Sequence, residues 1–259
     1  MTTFDWGAYD HYGFALVALA GTALACLGLG LILASPRHRP RLAGLAGVAP
    51  PFINIIGVLF ALTLAFLAND TWSAHDRAIT AVTREADALD AIGALTRSLP
   101  DTTRRPIEAA VGAYAVSAVE IEWPQLARRV AAPATAAALE RLLTLAADPG
   151  LGAPLGPAVH ARLLTEVMAV RDARDLRVAL SQTHVNPLKW LGMAFLGFVT
   201  MLSVAVVHVE HPRAALVAIL LFAAAAAPTA AIVLIQGNPF QRPTTVSAAP
   251  IAARIPPAP

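Results

Sequence analysis

The stretch LAGLAGVAPPFINIIGVLFALTLAFLA, residues 42–68, contains no charged side chain. A helix needs about 20 apolar residues to cross a hydrocarbon core of about 30 Å, and this run exceeds that length. Pro50 and Pro51 fit the first turn of a helix, where the missing N–H has no intrahelical partner to lose. We therefore expect a transmembrane span over about residues 50–69.

Three further runs lack Asp, Glu, Lys and Arg, and they predict spans over about residues 12–34, 189–208 and 214–236. Lys189 and Trp190 stand where an interfacial anchor is expected. The first run is longer than the apolar region of about 7–15 residues that a signal peptide contains, and no basic residue precedes it, so we expect it to be retained. Charged residues make up 14% of the chain, against roughly 25% in soluble domains.

The pairing of these runs predicts an all-α membrane protein. Residues 1–70 would form an N-terminal transmembrane hairpin and residues 189–237 a C-terminal one, with a helical extramembrane domain, residues 71–188, inserted between the second and third spans. The Pro-rich tail, residues 238–259, is expected to be disordered. Four spans place the middle domain and both termini on one side of the membrane.

The middle domain shows the apolar spacing of helices. From Trp72 to Leu99 apolar residues recur every three or four positions, which marks one helix face. Neither Gly nor Pro lies between Gly57 and Gly93, so this helix can continue directly from the second span. Further helices are predicted over about residues 107–122, 124–147 and 158–183, and the second of these can be interrupted at Pro133.

The distribution of basic residues favours a cytosolic middle domain. Seven basic residues lie near membrane ends on the side of the middle domain, and four lie on the opposite side. Lys and Arg accumulate on the cytoplasmic side of membrane proteins. Three of the opposing four, Arg37, Arg39 and Arg41, share one short loop, which weighs against this orientation.

The sequence contains no motif of a known catalytic chemistry. It has no Gly-rich phosphate loop, nucleophile elbow or HExxH pattern, and no cofactor is expected. A net charge of +2 does not favour nucleic-acid binding. The single cysteine, Cys26, excludes an intramolecular disulfide and is interpreted as a small buried apolar residue. We therefore expect a protein that is not an enzyme.

Several polar residues near the spans have more than one interpretation. His208, Glu210 and His211 form a cluster that could bind a metal, but an interfacial turn is the favoured interpretation and no metal site is predicted. Asn54 and Thr63, inside the second span, could line a pore or bond a neighbouring helix.

Two more groups of polar residues lie in the middle domain. His75, Asp76 and Arg77 follow the second span directly and read as a charged interfacial belt. Glu120 and Glu122 could act as an acid–base pair, but their i,i+2 spacing directs them to different helix faces, so they are interpreted as structural.

The segment GVLFALTLAFLANDTWSAHDRAITAVTREADALDAI, residues 57–92, resembles a bacterial membrane family described as bestrophin-like. The matching positions are the apolar run 57–66, then Trp72, Arg77 and the pair Glu85-Ala86. A second patch, Tyr114 followed by the EIEWP sequence of residues 120–124, is similar to the same family. The resemblance covers about residues 45–210.

The resemblance implies an oligomeric anion channel of the bacterial inner membrane whose second span lines the pore. Its expected partners are the lipid bilayer, further copies of the chain and small anions. The pore-lining candidates, at i, i+4 and i+8, are Val58, Leu62 and Phe66. The resemblance further implies an interfacial motif of Asn69, Trp72 and Arg77, and a structural motif of Glu85, Tyr114, Glu122 and Trp123.

An alternative role remains open on the sequence alone. A helical domain inserted between two transmembrane hairpins is also compatible with a non-conducting scaffold or sensor whose domain binds a partner. The two roles differ in whether the chain conducts ions as an oligomer. A membrane enzyme is disfavoured because no polar cluster converges near a span.

Overall fold

The structure, a computed structural model, describes residues 10–45, 47, 49–182, 186–243 and 245–255. Every regular element within these ranges is a helix, which confirms the predicted all-α membrane fold. The α-helices of the first half are α1 (Asp10–Ala34), α2 (Arg39–Ala43), α3 (Ala49–Thr96), α4 (Asp101–Val116) and α5 (Trp123–Leu126). Those of the second half are α6 (Pro133–Ala146), α7 (Gly152–Leu155), α8 (Pro157–Ser181), α9 (Pro187–Val207), α10 (Pro212–Ile235) and α11 (Ala249–Ala252).

Four of these helices, among the residues described, are long and apolar enough to cross a membrane. They are α1, the first part of α3, α9 and α10. Helix α3 contains 48 residues, which at 1.5 Å per residue makes it about 72 Å long. A hydrocarbon core is only about 30 Å thick, so the helix continues well beyond its membrane span, as its sequence predicts.

The chain divides into two compact units. The membrane unit consists of the described residues of Tyr9–Trp72 and His184–Gly237, and the helical unit of those in Ser73–Thr183 and Asn238–Pro259. In the membrane unit, α1, α9 and α10 share an apolar core around Leu29, Met201 and Ile219. The α3 span contributes Phe60, whose ring lies 5.4 Å from that of Phe222.

The core of the helical unit is built from small and branched apolar side chains. Residues of α3 such as Val82, Leu89 and Ile92 meet Ile107 of α4 and Leu163 of α8 in one buried cluster. Burying this surface supplies most of the driving force for folding in water. The core thus joins α3, α4 and α8, which contain most of the residues predicted to be helical in this unit.

Two helix boundaries of the helical unit differ from the prediction. Helix α4 begins at Asp101 and contains Pro106, although the predicted helix began at about residue 107. An internal proline gives up one intrahelical hydrogen bond, and the exposed ring of Pro106 does not disturb the core. The interruption expected at Pro133 is wider than predicted, because α5 ends at Leu126 and α6 begins at Pro133.

The predicted disordered tail is folded over residues 238–243 and 245–255, so this expectation does not hold there. Phe240, Val246 and Ile251 are buried in the core of the helical unit. The Asn238 side-chain amide donates to the Leu126 carbonyl at 3.2 Å, and that of Gln241 donates to the Ala127 carbonyl at 2.9 Å. Composition suggested disorder, but three well-spaced apolar residues anchor the segment. Residues 244 and 256–259 lie outside the described part.

Candidate functional site

The predicted pore-lining residues form an exposed apolar stripe on α3. The exposed fractions of Val58, Leu62 and Phe66 are 57%, 50% and 69%. Residues four apart advance by about 400° on an α-helix, so three such positions stay within about 80° of one another. We call Val58, Leu62 and Phe66 the exposed stripe. The opposite face of the span, with Phe60 and Leu67, is buried in the membrane unit.

The predicted interfacial residues follow the stripe along the same helix. Asn69 is exposed, and the indole Nε1 of Trp72 donates to Gln236 Oε1 at 3.1 Å. Next to them, Lys189 Nζ contacts Asp70 Oδ2 at 2.8 Å, with both side chains more than half exposed. Such an exposed ion pair contributes about 0–1 kcal/mol.

Arg77, the third residue of the interfacial motif, belongs to the helical unit. It is exposed, and its Nε donates to the Ser73 carbonyl at 3.1 Å on its own helix. Its neighbours His75 and Asp76 are partly buried and exposed, respectively. This geometry leaves the guanidinium largely open to solvent.

The four family-motif residues do come together, and two arginines join them. Glu85 of α3, Tyr114 of α4 and Glu122 surround Arg174 and Arg177 of α8, and all five side chains are buried. We call these five residues the ion network. Its two carboxylates balance its two guanidinium groups, so the buried charges compensate one another.

Arg177 occupies the centre of the ion network. Its Nε donates to Glu85 Oε2 at 2.8 Å, and its Nη2 donates to Glu85 Oε1 and to Glu122 Oε2, both at 3.0 Å. Tyr114 donates its hydroxyl to Glu85 Oε1 at 2.6 Å. The guanidinium carbon lies 5.1 Å from the centroid of the Trp123 ring, a cation–π distance.

Arg174 completes the network on the side of Glu122. Its Nη2 donates to Glu122 Oε1 at 2.5 Å and its Nε to Glu122 Oε2 at 3.2 Å. The backbone N–H of Ala132 also donates to Glu122 Oε1, at 3.1 Å. Bidentate pairs of this kind are directional, so Glu122 ties α8 to the turn that precedes α6.

A π-helix places Glu122 in the network. Residues Ser117–Glu122 follow α4 as a π-helical segment, which holds more residues per turn than an α-helix. Tyr114, Ala118, Glu122 and Leu126 are all fully buried, although residues four apart drift by about 40° per step on an α-helix. The wider turn cancels this drift, so Glu122 faces inward while Glu120 is exposed.

The environment of the network shifts two pKa values. Burial, reinforced by the nearby Glu85 carboxylate, holds the pKa of Tyr114 well above its usual value. The pKa of Arg177 is raised by Glu85 and its hydrogen bonds, against the opposing effect of burial. Tyr114 therefore remains a hydroxyl donor and Arg177 remains charged. The network can hold four helical segments together. Among the described residues, one of its buried donors, Arg177 Nη1, has no hydrogen-bond partner.

Sequence reasoning missed Arg174 and Arg177. The available signal was their position in α8, where Leu163, Val167 and Val170 mark the buried face. Two arginines three residues apart continue that face, and a buried arginine needs an acid partner. The isolated Glu85 and Glu122 of the family motif were the matching acids.

The remaining polar candidates stay apart from the ion network. Thr63 donates its hydroxyl to the Leu59 carbonyl at 2.8 Å on its own helix, while Asn54 is exposed. Cys26 is buried, with its Sγ 3.9 Å from Met201 Sδ. His208 Nδ1 lies 3.0 Å from the Val204 carbonyl. Within the described ranges, no three His, Cys, Asp or Glu side chains lie close enough together to hold a metal ion.

Comparison with known proteins identifies the class to which this fold belongs. A solved crystal structure of a membrane protein matches 92% of this chain and 95% of its own, with a TM-score of 0.66 and 16% sequence identity. At this identity the likeness shows the fold alone. No curated protein sequence matches the chain. The fold is thus that of an all-α membrane protein.

The family model described as "Bestrophin-like domain" matches residues 19–251. This range contains most of the membrane unit, the ion network and most of the folded tail. The chain belongs to the bestrophin-like family, as the residues around Gly57–Ile92 predicted.

Proposed function

We propose that copies of this chain assemble into an ion channel, selective for anions, with the α3 spans around the conducting path. The observation that carries this proposal is the exposed stripe. An uncharged helix whose face is open in the single chain must meet either lipid or another copy within a membrane. Rings of apolar side chains can close a pore by excluding water. The proposed role is non-enzymatic, in a bacterial inner membrane.

A polar residue on the same face supports a pore over plain lipid contact. Asn54 is exposed one helical turn before Val58, and its amide carries two donors and an acceptor. Amides are poorly solvated by hydrocarbon. A water-filled path or a neighbouring copy would satisfy this group, whereas lipid tails would not.

Reconstitution tests the proposal directly. The purified protein in liposomes should pass chloride and iodide faster than empty vesicles, and Leu62→Ala should raise the flux by widening the apolar constriction. The matched control is Leu221→Ala on α10, because Leu221 is 68% exposed but lies outside the exposed stripe. A monomeric protein in detergent, or no flux above empty vesicles for several anions, would refute the channel.

The second candidate is a non-conducting scaffold or sensor. The observation that favours it is the size of the helical unit, which has its own buried core and its own ion network. We place this unit in the cytosol, on the strength of the basic-residue count. Reporter fusions at residue 150 and at the C-terminus test that side, and a periplasmic signal would favour a sensor of external conditions.

A further inference from the structure

A groove in the helical unit is lined by arginines and by apolar side chains. It lies among the end of α3, the beginning of α4 and the C-terminal segment, and its volume is about 670 Å³. Small-molecule sites typically measure about 300–1,000 Å³. The groove is separate from the ion network, none of whose members line it. We call it the arginine groove.

Three arginines line the groove from three different segments. Arg97 extends from the end of α3, Arg104 from the first turns of α4, and Arg254 from the residues after α11. The lining also includes the carboxylates of Asp90 and Glu108. Arg104 also pairs with Asp101, which lies outside the lining. With Asp101 counted, three carboxylates balance the three arginines, so the attraction for an anionic ligand rests on Arg97, the one arginine of the three that pairs with none of these carboxylates.

Two of these arginines each have a buried N–H group that donates no hydrogen bond within the protein. Arg254 pairs with Asp90 through Nη2, and Arg104 pairs with Asp101 through Nη2 at 2.5 Å. The Nε atoms of Arg104 and Arg254 are both buried and have no hydrogen-bond partner. Glu108 Oε1 lies 3.5 Å from the Arg104 Nε, within reach of an ion pair but without hydrogen-bond geometry. Unsatisfied buried N–H groups are rare and call for an acceptor.

Arg97 differs from the other two because its guanidinium is exposed and makes no ion pair or hydrogen bond within the described part of the chain. An uncommitted guanidinium can rotate to place two parallel N–H groups against one oxyanion. The groove therefore combines two anchored arginines with one that is free to close on a ligand.

Part of the groove wall is apolar. Ile92, Ile107 and Val111 contribute to it, and Gly93 leaves open space where a side chain would project. An inorganic ion would contact only the charged groups of the lining. A ligand with an apolar body and an oxyanion head would also bury surface against this wall, at about 25 cal/mol per Å².

We propose that the arginine groove binds a small organic oxyanion, with a phosphate or carboxylate head between Arg97, Arg104 and Arg254 and an apolar body along α3 and α4. Because Arg254 belongs to the C-terminal segment, the site is complete only when that segment is docked. This binding does not depend on ion conduction. The head could come from a free metabolite or from an anionic lipid.

Isothermal titration calorimetry on the full-length protein in a nonionic detergent tests the site. The probes are phenyl phosphate, benzoate and inorganic phosphate. Phenyl phosphate should bind more tightly than inorganic phosphate, because only the former reaches the apolar wall. Arg97→Gln should weaken phenyl phosphate binding at least about tenfold, the value of one charge-assisted hydrogen bond. Arg97 has no internal partner, so this change should leave the fold intact.

The matched control is Arg105→Gln. Arg105 is the neighbour of Arg104 and also pairs with Asp101, at 3.2 Å, but it does not line the groove. Its replacement should leave the affinity unchanged. A second variant, Gly93→Leu, should fill space beside the apolar lining residues and weaken phenyl phosphate binding more than inorganic phosphate binding.

A competition experiment with lipid tells whether the oxyanion group belongs to an anionic lipid or to a soluble molecule. In nanodiscs, phosphatidic acid that displaces phenyl phosphate in an Arg97-dependent way would identify a lipid ligand, and failure to displace it would identify a soluble one. Either outcome supports the site. Absence of saturable binding for all three probes, or equal effects of Arg97→Gln and Arg105→Gln, would overturn it.

Discussion

Arg177 Nε donates to Glu85 Oε2 across 2.8 Å, and both side chains are fully buried. The two residues are 92 positions apart in the chain, so this contact joins α3 to α8. Removing one partner of a buried ion pair leaves an uncompensated charge in a region of low dielectric constant. Breaking the pair is therefore more costly than replacing both partners together.

Arg177→Met should destabilise the helical unit by about 3–5 kcal/mol, because Glu85 and Glu122 lose their shared partner. Thermal unfolding of the detergent-purified protein measures the effect. Arg171→Gln is the control, since Arg171 lies on the same helix and only approaches Asp175, at 4.0 Å, with both side chains exposed. Adding Glu85→Gln to Arg177→Met should cost less than the sum of the two single changes. Strict additivity would contradict a direct pair.

Tyr114→Phe should change how stability depends on alkaline pH. The folded-state pKa of Tyr114 lies well above 10, whereas the unfolded-state value is about 10. Above pH 10 the unfolded chain releases a proton that the folded chain keeps. This difference lowers stability with rising pH by up to about 1.4 kcal/mol per pH unit. The contribution of Tyr114 is thus fully present below pH 10 and is lost above it.

Unfolding midpoints measured between pH 8 and 11 should therefore fall less steeply in Tyr114→Phe than in the unchanged protein. At pH 8 the variant should also be less stable by about 1–3 kcal/mol, because Glu85 loses a buried donor. Identical slopes for Tyr114→Phe and the unchanged protein would refute the assignment.

Phe240→Ala should destabilise the protein by about 3–5 kcal/mol, because it deletes a large buried side chain. The Phe240 ring meets that of Trp123 edge-to-face, with centroids 5.5 Å apart. Limited proteolysis should also cut the variant within residues 238–255 sooner than the unchanged protein. Thr245→Ala, at an exposed position of the same segment, should have no such effect. Equal cleavage in all three proteins would mean that the segment is not docked.

Leu62→Cys, in a chain that also carries Cys26→Ala, should cross-link between copies in the membrane. Cys26 is the only native cysteine, so this background leaves one reactive thiol per chain. Spans that surround a common axis bring equivalent positions close together. Oxidation should produce a dimer band on a denaturing gel. Leu221→Cys in the same background should remain monomeric, and the reverse pattern would place α10 at the interface.

The membrane spans and the long α3 could be predicted from the sequence because their signals are local. A run without charges needs only its own length to specify a span, and the absence of Gly and Pro after Gly57 predicted the continuous helix. The exposure of Val58, Leu62 and Phe66 agrees with a single helix face. Whether that face meets other copies depends on contacts that no single chain contains.

The sequence allowed only some members of the ion network to be predicted. Glu85, Tyr114 and Glu122 were singled out by family resemblance, whereas Arg174 and Arg177 looked like ordinary charges on an amphipathic helix. Their burial depends on the π-helix at Ser117–Glu122, which turns Glu122 inward. The local sequence does not predict this π-helix, because its free-energy cost is offset by tertiary contacts with α8 and with the turn before α6.

The amino-acid sequence by itself determined that this is an all-helical membrane protein, with four candidate spans in the described part of the chain, since hydrophobic length and charge act residue by residue. The tertiary structure alone decided that residues 238–255 fold onto the helical unit and that Glu85 and Glu122 share Arg177. It also brought Arg97, Arg104 and Arg254 to one groove. These features join segments far apart in the chain, and their free energy exists only once those segments have been packed together.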